Sequence, residues 1–148
     1  MGRIDLHWDP FDQMDPGPCI NVIVMNSRDA IEAGRAIGLE FPPPHPMRAL
    51  LDTGASVTVI SKVFANYCKL FHTNDGGQIT AIGASHPCGE HAGAISFPGT
   101  NLRPFDPIRI VSVDFAKERS YACLIGRDIL RNWVIAFDGR SSRVTITD

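Results

Sequence analysis

The stretch LLDTGASV, Leu50 to Val57, limits what this chain can fold into more than any other. Asp52 closes an apolar run, RALL, that reads as a buried strand. A carboxylate in that position is costly unless the backbone that follows hydrogen-bonds it. Thr53 brings a hydroxyl, and Gly54 permits a tight turn that aims N–H groups back at the carboxylate. Taken alone, the tripeptide has two readings: a plain turn after a strand, or a reactive carboxylate presented at a strand end.

The flanking sequence predicts many short strands and few helices. CINVIVM (Cys19 to Met25) is β-branched and apolar, hence a strand. DAIEAGRAIG changes to a helical period, with Asp29 as a cap, Glu32 three residues on and Gly38 as a stop. FPPPHP (Phe41 to Pro46) excludes helix and central strand and predicts a stiff extended connector. After the Asp-Thr-Gly turn, SVTVIS alternates as a second strand, and KVFANYCKL places Val63, Phe64, Tyr67 and Leu70 on one helical face. GGQITAIG and CGEHAGAISFPG read as the arms of a hairpin, PIRIVSVDF as a long strand and YACLIG as a buried one. RDILRNW is a short helix carrying Ile129, Leu130 and Trp133, and VIAFDGRSSRVTIT a closing hairpin around Asp138 and Gly139. Residues 1–18, rich in Asp and Pro, are expected to be irregular, with His7, Trp8 and Phe11 anchoring them; residues 19–148 are expected to form a single domain.

Bulk properties exclude several classes of function. The formal charge of −2 over 148 residues gives no basic footprint, so no nucleic-acid partner is expected. No apolar stretch approaches the roughly 18 residues of a membrane span, and the first residues carry charges and prolines where a signal peptide needs an apolar core. Four dispersed cysteines (Cys19, Cys68, Cys88, Cys123) then read as reduced thiols, and the expected location is cytoplasmic. No Gly-x-Ser-x-Gly, phosphate-binding or dinucleotide-binding glycine pattern is present, and no cofactor is expected. HPCGEH gathers His86, Cys88, Glu90 and His91, but without a second Cys/His cluster nearby it predicts polar groups on an exposed hairpin, with no metal.

A second motif changes the weight of the first. Some seventy residues after Asp-Thr-Gly comes CLIGRDIL, an apolar strand running into Gly126, Arg127 and Asp128 and a short helix. The two motifs, in this order and spacing, resemble the retropepsin-like aspartic proteases over roughly residues 47–148. The resemblance implies a mostly-β, closed acid-protease barrel with one or two short helices and an active site built by a homodimer. It implies peptide-bond hydrolysis by two carboxyls sharing one proton, because like charges about 3 Å apart cannot both ionise cheaply. This chain has one Asp-Thr-Gly: Asp75-Gly76 and Asp138-Gly139 lack the hydroxyl residue between. The second Asp52 must therefore come from a second copy.

Further roles follow from the same resemblance. Thr53, Gly54 and Ala55 would build the active-site turn, Thr53 locking it to the partner's. Where two-lobed relatives commonly carry a hydroxyl residue, Ala55 removes a donor from the ionised carboxylate, which implies activity nearer neutral pH than a gastric-type enzyme shows. Ile82, Gly83, Ala84 and Ser85 would belong to a substrate-covering flap whose bend falls between Ala84 and Gly89. Gly126, Arg127 and Asp128 would support the turns from beneath. Arg127 in retroviral relatives pairs with an acidic residue, but Ser56 stands at the matching position, leaving its partner open. Substrate would lie extended between flap and floor, bound through its main chain. The competing reading is a dimeric peptide-binding or assembly module on the same fold without turnover.

Overall fold

In the computed structural model, which describes residues 1–81, 84–115 and 119–148 apart from the side chains of 75, 76 and 81, strands dominate. They are β1 (Arg3–His7), β2 (Cys19–Asn26), β3 (Met47–Leu51), β4 (Val59–Ser61), β5 (His72–Ala81), β6 (Ala84–Ser96), β7 (Phe105–Val113), β8 (Cys123–Ile125), β9 (Val134–Asp138) and β10 (Arg143–Thr147). Three short helices accompany them among the described residues: α1 (Arg28–Ala36), α2 (Lys62–Tyr67) and α3 (Arg127–Leu130).

The main sheet runs β2-β3-β8-β4-β7-β6-β5, and a further pairing of β2 with β6 joins its sides. Six strands thereby form a closed ring from which β5 extends as the outer arm of the β5–β6 hairpin. The closed, mostly-β architecture expected from the sequence is present. Closure removes the unpaired strand edges that an open sheet would expose. The ring is filled by Val22, Val24, Ala49, Ile60, Ile95, Ile110, Cys123, Ile125 and Ile129, none more than 2% exposed. A smaller second cluster, Val59, Cys88, Val111 and Val113, is backed by Val57, Ile79 and Leu124 on the side where Asp52 emerges.

The detail that positions the site is the crossing at β8. Ala49, Leu50 and Leu51 pair in parallel with Cys123, Leu124 and Ile125, while Val59 and Ile60 pair antiparallel with Leu124 and Cys123. Both strands flanking the Asp-Thr-Gly turn therefore lie against one three-residue strand, and the turn joins them across its end.

Four expectations need correction. Residues 1–18 are not irregular throughout: Arg3–His7 forms β1, paired residue by residue with β10 from Arg3↔Thr147 to His7↔Arg143. Its Arg-Ile-Asp-Leu-His alternation packs the half-buried Ile4 and Leu6 against the core, a period-two pattern masked by its charges. Trp8 packs on that core, but Phe11 is 93% exposed and anchors nothing. In α2 the buried residue is Ala65, with Cys68 and Leu70 following it, while Val63 is 74% exposed. The helix stops after six residues, Lys69 turns to φ +51°, and the helical period does not reach Leu70. The cap of α1 is Ser27, which accepts from Ala30 N at 3.3 Å, and Glu32 pairs with Arg28. Finally, HPCGEH is not wholly exposed: Cys88 sits in the second cluster, and His91 is buried with Nε2 2.8 Å from Ser112 Oγ. No helix among the described residues is long and apolar enough to cross a membrane.

If β1 is a structural strand, removing residues 1–7 uncovers Val144 and Ile146, both fully buried. Loss of the Ile4 and Leu6 contacts is expected to cost about 3 kcal/mol or more, read as a lower midpoint in urea unfolding; an unchanged midpoint would show the strand to be dispensable.

Candidate active site

Asp52 continues β3 by one residue, its N–H donating to Ile125 O at 3.0 Å. The chain then turns: Ala55 N–H donates to Asp52 O at 3.2 Å, and Gly54 N–H donates to the Asp52 carboxylate at 2.8 Å. The backbone thus supplies the hydrogen bond that a carboxylate at a strand end requires. A Cβ on Gly54 would lie 3.1 Å from that same carboxylate oxygen, so glycine keeps the turn tight. Asp52 and Ala55 are half-buried, and Thr53 and Gly54 are exposed.

Gly126, Arg127 and Asp128 hold this turn from the adjacent strand end. A Cβ at Gly126 would lie 2.4 Å from Val57 O, so any larger residue would push the two segments apart. Arg127 N–H donates to Ala55 O at 2.8 Å, and its Nη1 donates to Thr53 O at 2.7 Å. That is how the arginine is satisfied where Ser56 offers no carboxylate: the guanidinium braces the turn's own main chain. Asp128 accepts from Thr58 N and Thr58 Oγ1, each at 2.9 Å, and from Ile129 N at 2.9 Å at the start of α3. Gly126 N–H donates in turn to Thr58 Oγ1 at 3.3 Å. Thr58 is fully buried and bridges the two motifs. Sequence reasoning missed it because a threonine in an alternating strand carries no mark of its partner seventy residues away.

A cleft of about 610 Å³ opens over Asp52. Its floor and wall are Ala55, Val57, Val59 and Leu124; β5 contributes Gln78, Ile79 and Thr80; and Arg109 stands at its edge. The predicted flap residues divide. Ile82 and Gly83 lie outside the described residues. Ala84 and Ser85 are exposed and open β6, paired with Ala81 and Thr80. The span from Ala84 to Gly89, where the sequence suggested the bend, belongs to the returning strand instead. Among the described residues of this hairpin, the cleft is lined by Gln78, Ile79 and Thr80, which the sequence reading did not single out.

Other reactive groups are poorly placed. Burial pushes the Cys68 thiol up to about 11 and that of Cys123 to about 12, so neither forms a thiolate near neutral pH. Among the described residues no three His, Cys, Asp or Glu side chains are grouped to hold a metal.

The crossed strand ends, the braced Asp-Thr-Gly turn and the hairpin over an open cleft define the class: a retropepsin-like fold. The chain is similar to the EIAV protease complexed with the inhibitor HBY-793, at 20% identity and a TM-score of 0.53, covering 84% of this chain and 91% of that one. It is likewise similar to a retropepsin-like aspartic protease from Rickettsia conorii, at 15% identity and a TM-score of 0.52, covering 99% and 94%. No protein-family model matches the sequence, and no curated protein does. At these identities the likeness establishes the fold.

Removing the bridging hydroxyl by Thr58→Val is expected to destabilise the chain by about 1–3 kcal/mol, the cost of leaving a half-buried carboxylate short of a donor. Thr58→Ser, which keeps the hydroxyl, should recover most of that loss in denaturant unfolding. Equal losses in the two variants would remove the bridge from the account.

Proposed function

We propose that the chain is an aspartic endopeptidase whose active site is completed by a second copy of itself. The observation that carries this reading is the Asp52 turn: a half-buried carboxylate, oriented by Gly54 N–H on a turn whose main chain Arg127 braces, facing an open cleft. One chain supplies one such carboxylate, while peptide hydrolysis by this chemistry uses two. The exposed faces of Thr53 and Gly54 leave the turn accessible to the same turn of a partner, and the Thr53 hydroxyl is the group to reach across the two-fold axis.

In the dimer one Asp52 is ionised and the other protonated. The ionised carboxylate takes a proton from a water held between them as that water's oxygen bonds to the scissile carbonyl carbon. The protonated carboxyl gives its proton to the carbonyl oxygen. As the tetrahedral intermediate collapses the roles exchange: the first carboxyl gives its newly gained proton to the leaving nitrogen as the C–N bond breaks, and the second takes a proton from a hydroxyl of the intermediate, which restores the starting dyad. Val57, Val59, Ile79 and Leu124 line the cleft with apolar surface for side chains of an extended peptide, whose main chain hydrogen-bonds to flap and floor. The flap is assigned to the β5–β6 hairpin, including Ile82, Gly83, Ala84 and Ser85, with Gly126, Arg127 and Asp128 as structural support. A cytoplasmic setting with a peptide or protein substrate completes the proposal.

The direct test incubates concentrated wild type and Asp52→Asn with a diverse peptide library and reads the products by mass spectrometry. Cuts made by wild type and absent from Asp52→Asn are expected; products from both alike, or from neither while the protein is dimeric, would defeat the proposal and favour a binding module. A second prediction concerns Ala55. Ala55→Ser adds a donor beside the ionised carboxylate and favours that form, so the acid limb of the pH–rate profile should move to lower pH. A limb that stays put or moves upward would show that residue 55 does not set it.

A further inference from the structure

The residues lining the cleft are polar or apolar with two exceptions. Among the described residues of the lining, only Asp52 and Arg109 carry a formal charge. Arg109 lies on β7, two residues before Val111, and so shares the sheet face of the second apolar cluster that walls the cleft. Ile108 and Ile110 flank it in sequence and belong to the opposite, main core. Burial therefore fixes which side of β7 Arg109 is on. Its guanidinium pairs with Glu90 of the neighbouring strand β6. The Arg109 side chain stays 54% exposed, whereas that of Glu90 is 23% exposed. One carboxylate occupies one Nη2 donor of a five-donor fork, and the guanidinium makes no other hydrogen bond among the described residues.

We infer that Arg109 selects substrates with an acidic side chain on the flank of the scissile bond, and that Glu90 sets how strongly it does so. This rests on the endopeptidase reading and names the substrate class for that same cleft. A carboxylate entering the apolar wall meets one cationic fork with donors to spare, and two N–H groups can engage it side by side. Glu90 orients the fork but also repels the incoming charge, so the selection is moderate in size. The apolar neighbours Val57, Val59, Ile79 and Leu124 take the methylene groups of the substrate side chain. A glutamate, with one more methylene than aspartate, reaches farther across that wall.

The test uses peptides with Glu, Asp, Gln or Asn at each position on either side of a cut, presented to wild type, Arg109→Gln and Glu90→Gln. Wild type should favour acid over its amide at one flanking position by about two- to fivefold in kcat/KM, the size of a partly exposed ion pair. Arg109→Gln should erase that ratio, and Glu90→Gln should raise it. No acidic preference at any flanking position, or a preference that Arg109→Gln leaves unmoved, overturns the inference while leaving the endopeptidase reading intact. If wild type cuts nothing, the endopeptidase reading fails, and the same acid/amide pairs are compared by binding in fluorescence anisotropy. Tighter binding of the acidic member, lost in Arg109→Gln, then supports the charge selection; equal binding overturns it.

Discussion

Asp52 is held where it is by three strand ends meeting at one place, and the candidate site depends on that meeting. β3 delivers the carboxylate, β4 carries the chain away, and β8 lies between them and hydrogen-bonds to both. A turn over such a junction would splay without a clamp, because its polar groups face no strand of their own. The clamp is the Thr58–Asp128 pair together with the two Arg127 bonds to Thr53 O and Ala55 O. It uses one buried hydroxyl, one carboxylate, and the guanidinium and main-chain N–H of Arg127, and it leaves the other carboxylate, Asp52, turned to the cleft.

This division of labour explains why the two motifs sit so far apart in sequence yet act as a unit. Gly126 allows the close approach, with Val57 O in the space a Cβ would need. Asp128 fastens the two segments together and also accepts from Ile129 N in the first turn of the short helix α3. Ile129 and Leu130 then anchor the helix in the core, so the clamp is tied to the main body of the protein. Rigidity beneath the turn and openness above it are the two properties that a group meeting an extended peptide requires.

Much of this was legible in the sequence, for a physical reason. Strands buried on both faces read as apolar runs, and RALL, CLI and the alternating PIRIVSV were recognisable one by one. A carboxylate after such a run demands hydrogen bonds, and Asp-Thr-Gly supplies them locally. What stayed hidden depends on partners distant in the chain. Thr58 looked like any strand threonine until Asp128 was beside it. β1 looked too charged to be a strand because its partner β10 lies at the other end of the chain. The bend of the hairpin was misplaced because a glycine-rich sequence does not specify its own register, whereas the pairing of Ala81 with Ala84 does. Cys88 and His91 were expected as polar groups on an exposed hairpin and prove to be buried, one in an apolar cluster and one against Ser112.

The proposed dyad takes one carboxylate from each of two identical chains, and a subunit-mixing titration tests that most directly. A fixed amount of wild type is mixed with increasing Asp52→Asn, allowed to exchange subunits, and its cleavage rate is followed. Because a mixed dimer holds a single ionisable Asp52, the rate should fall steadily toward zero as wild-type chains are drawn into mixed pairs. A rate that stays constant, under conditions where sedimentation shows mixed dimers have formed, would mean that each chain acts alone, and the shared dyad would have to be abandoned.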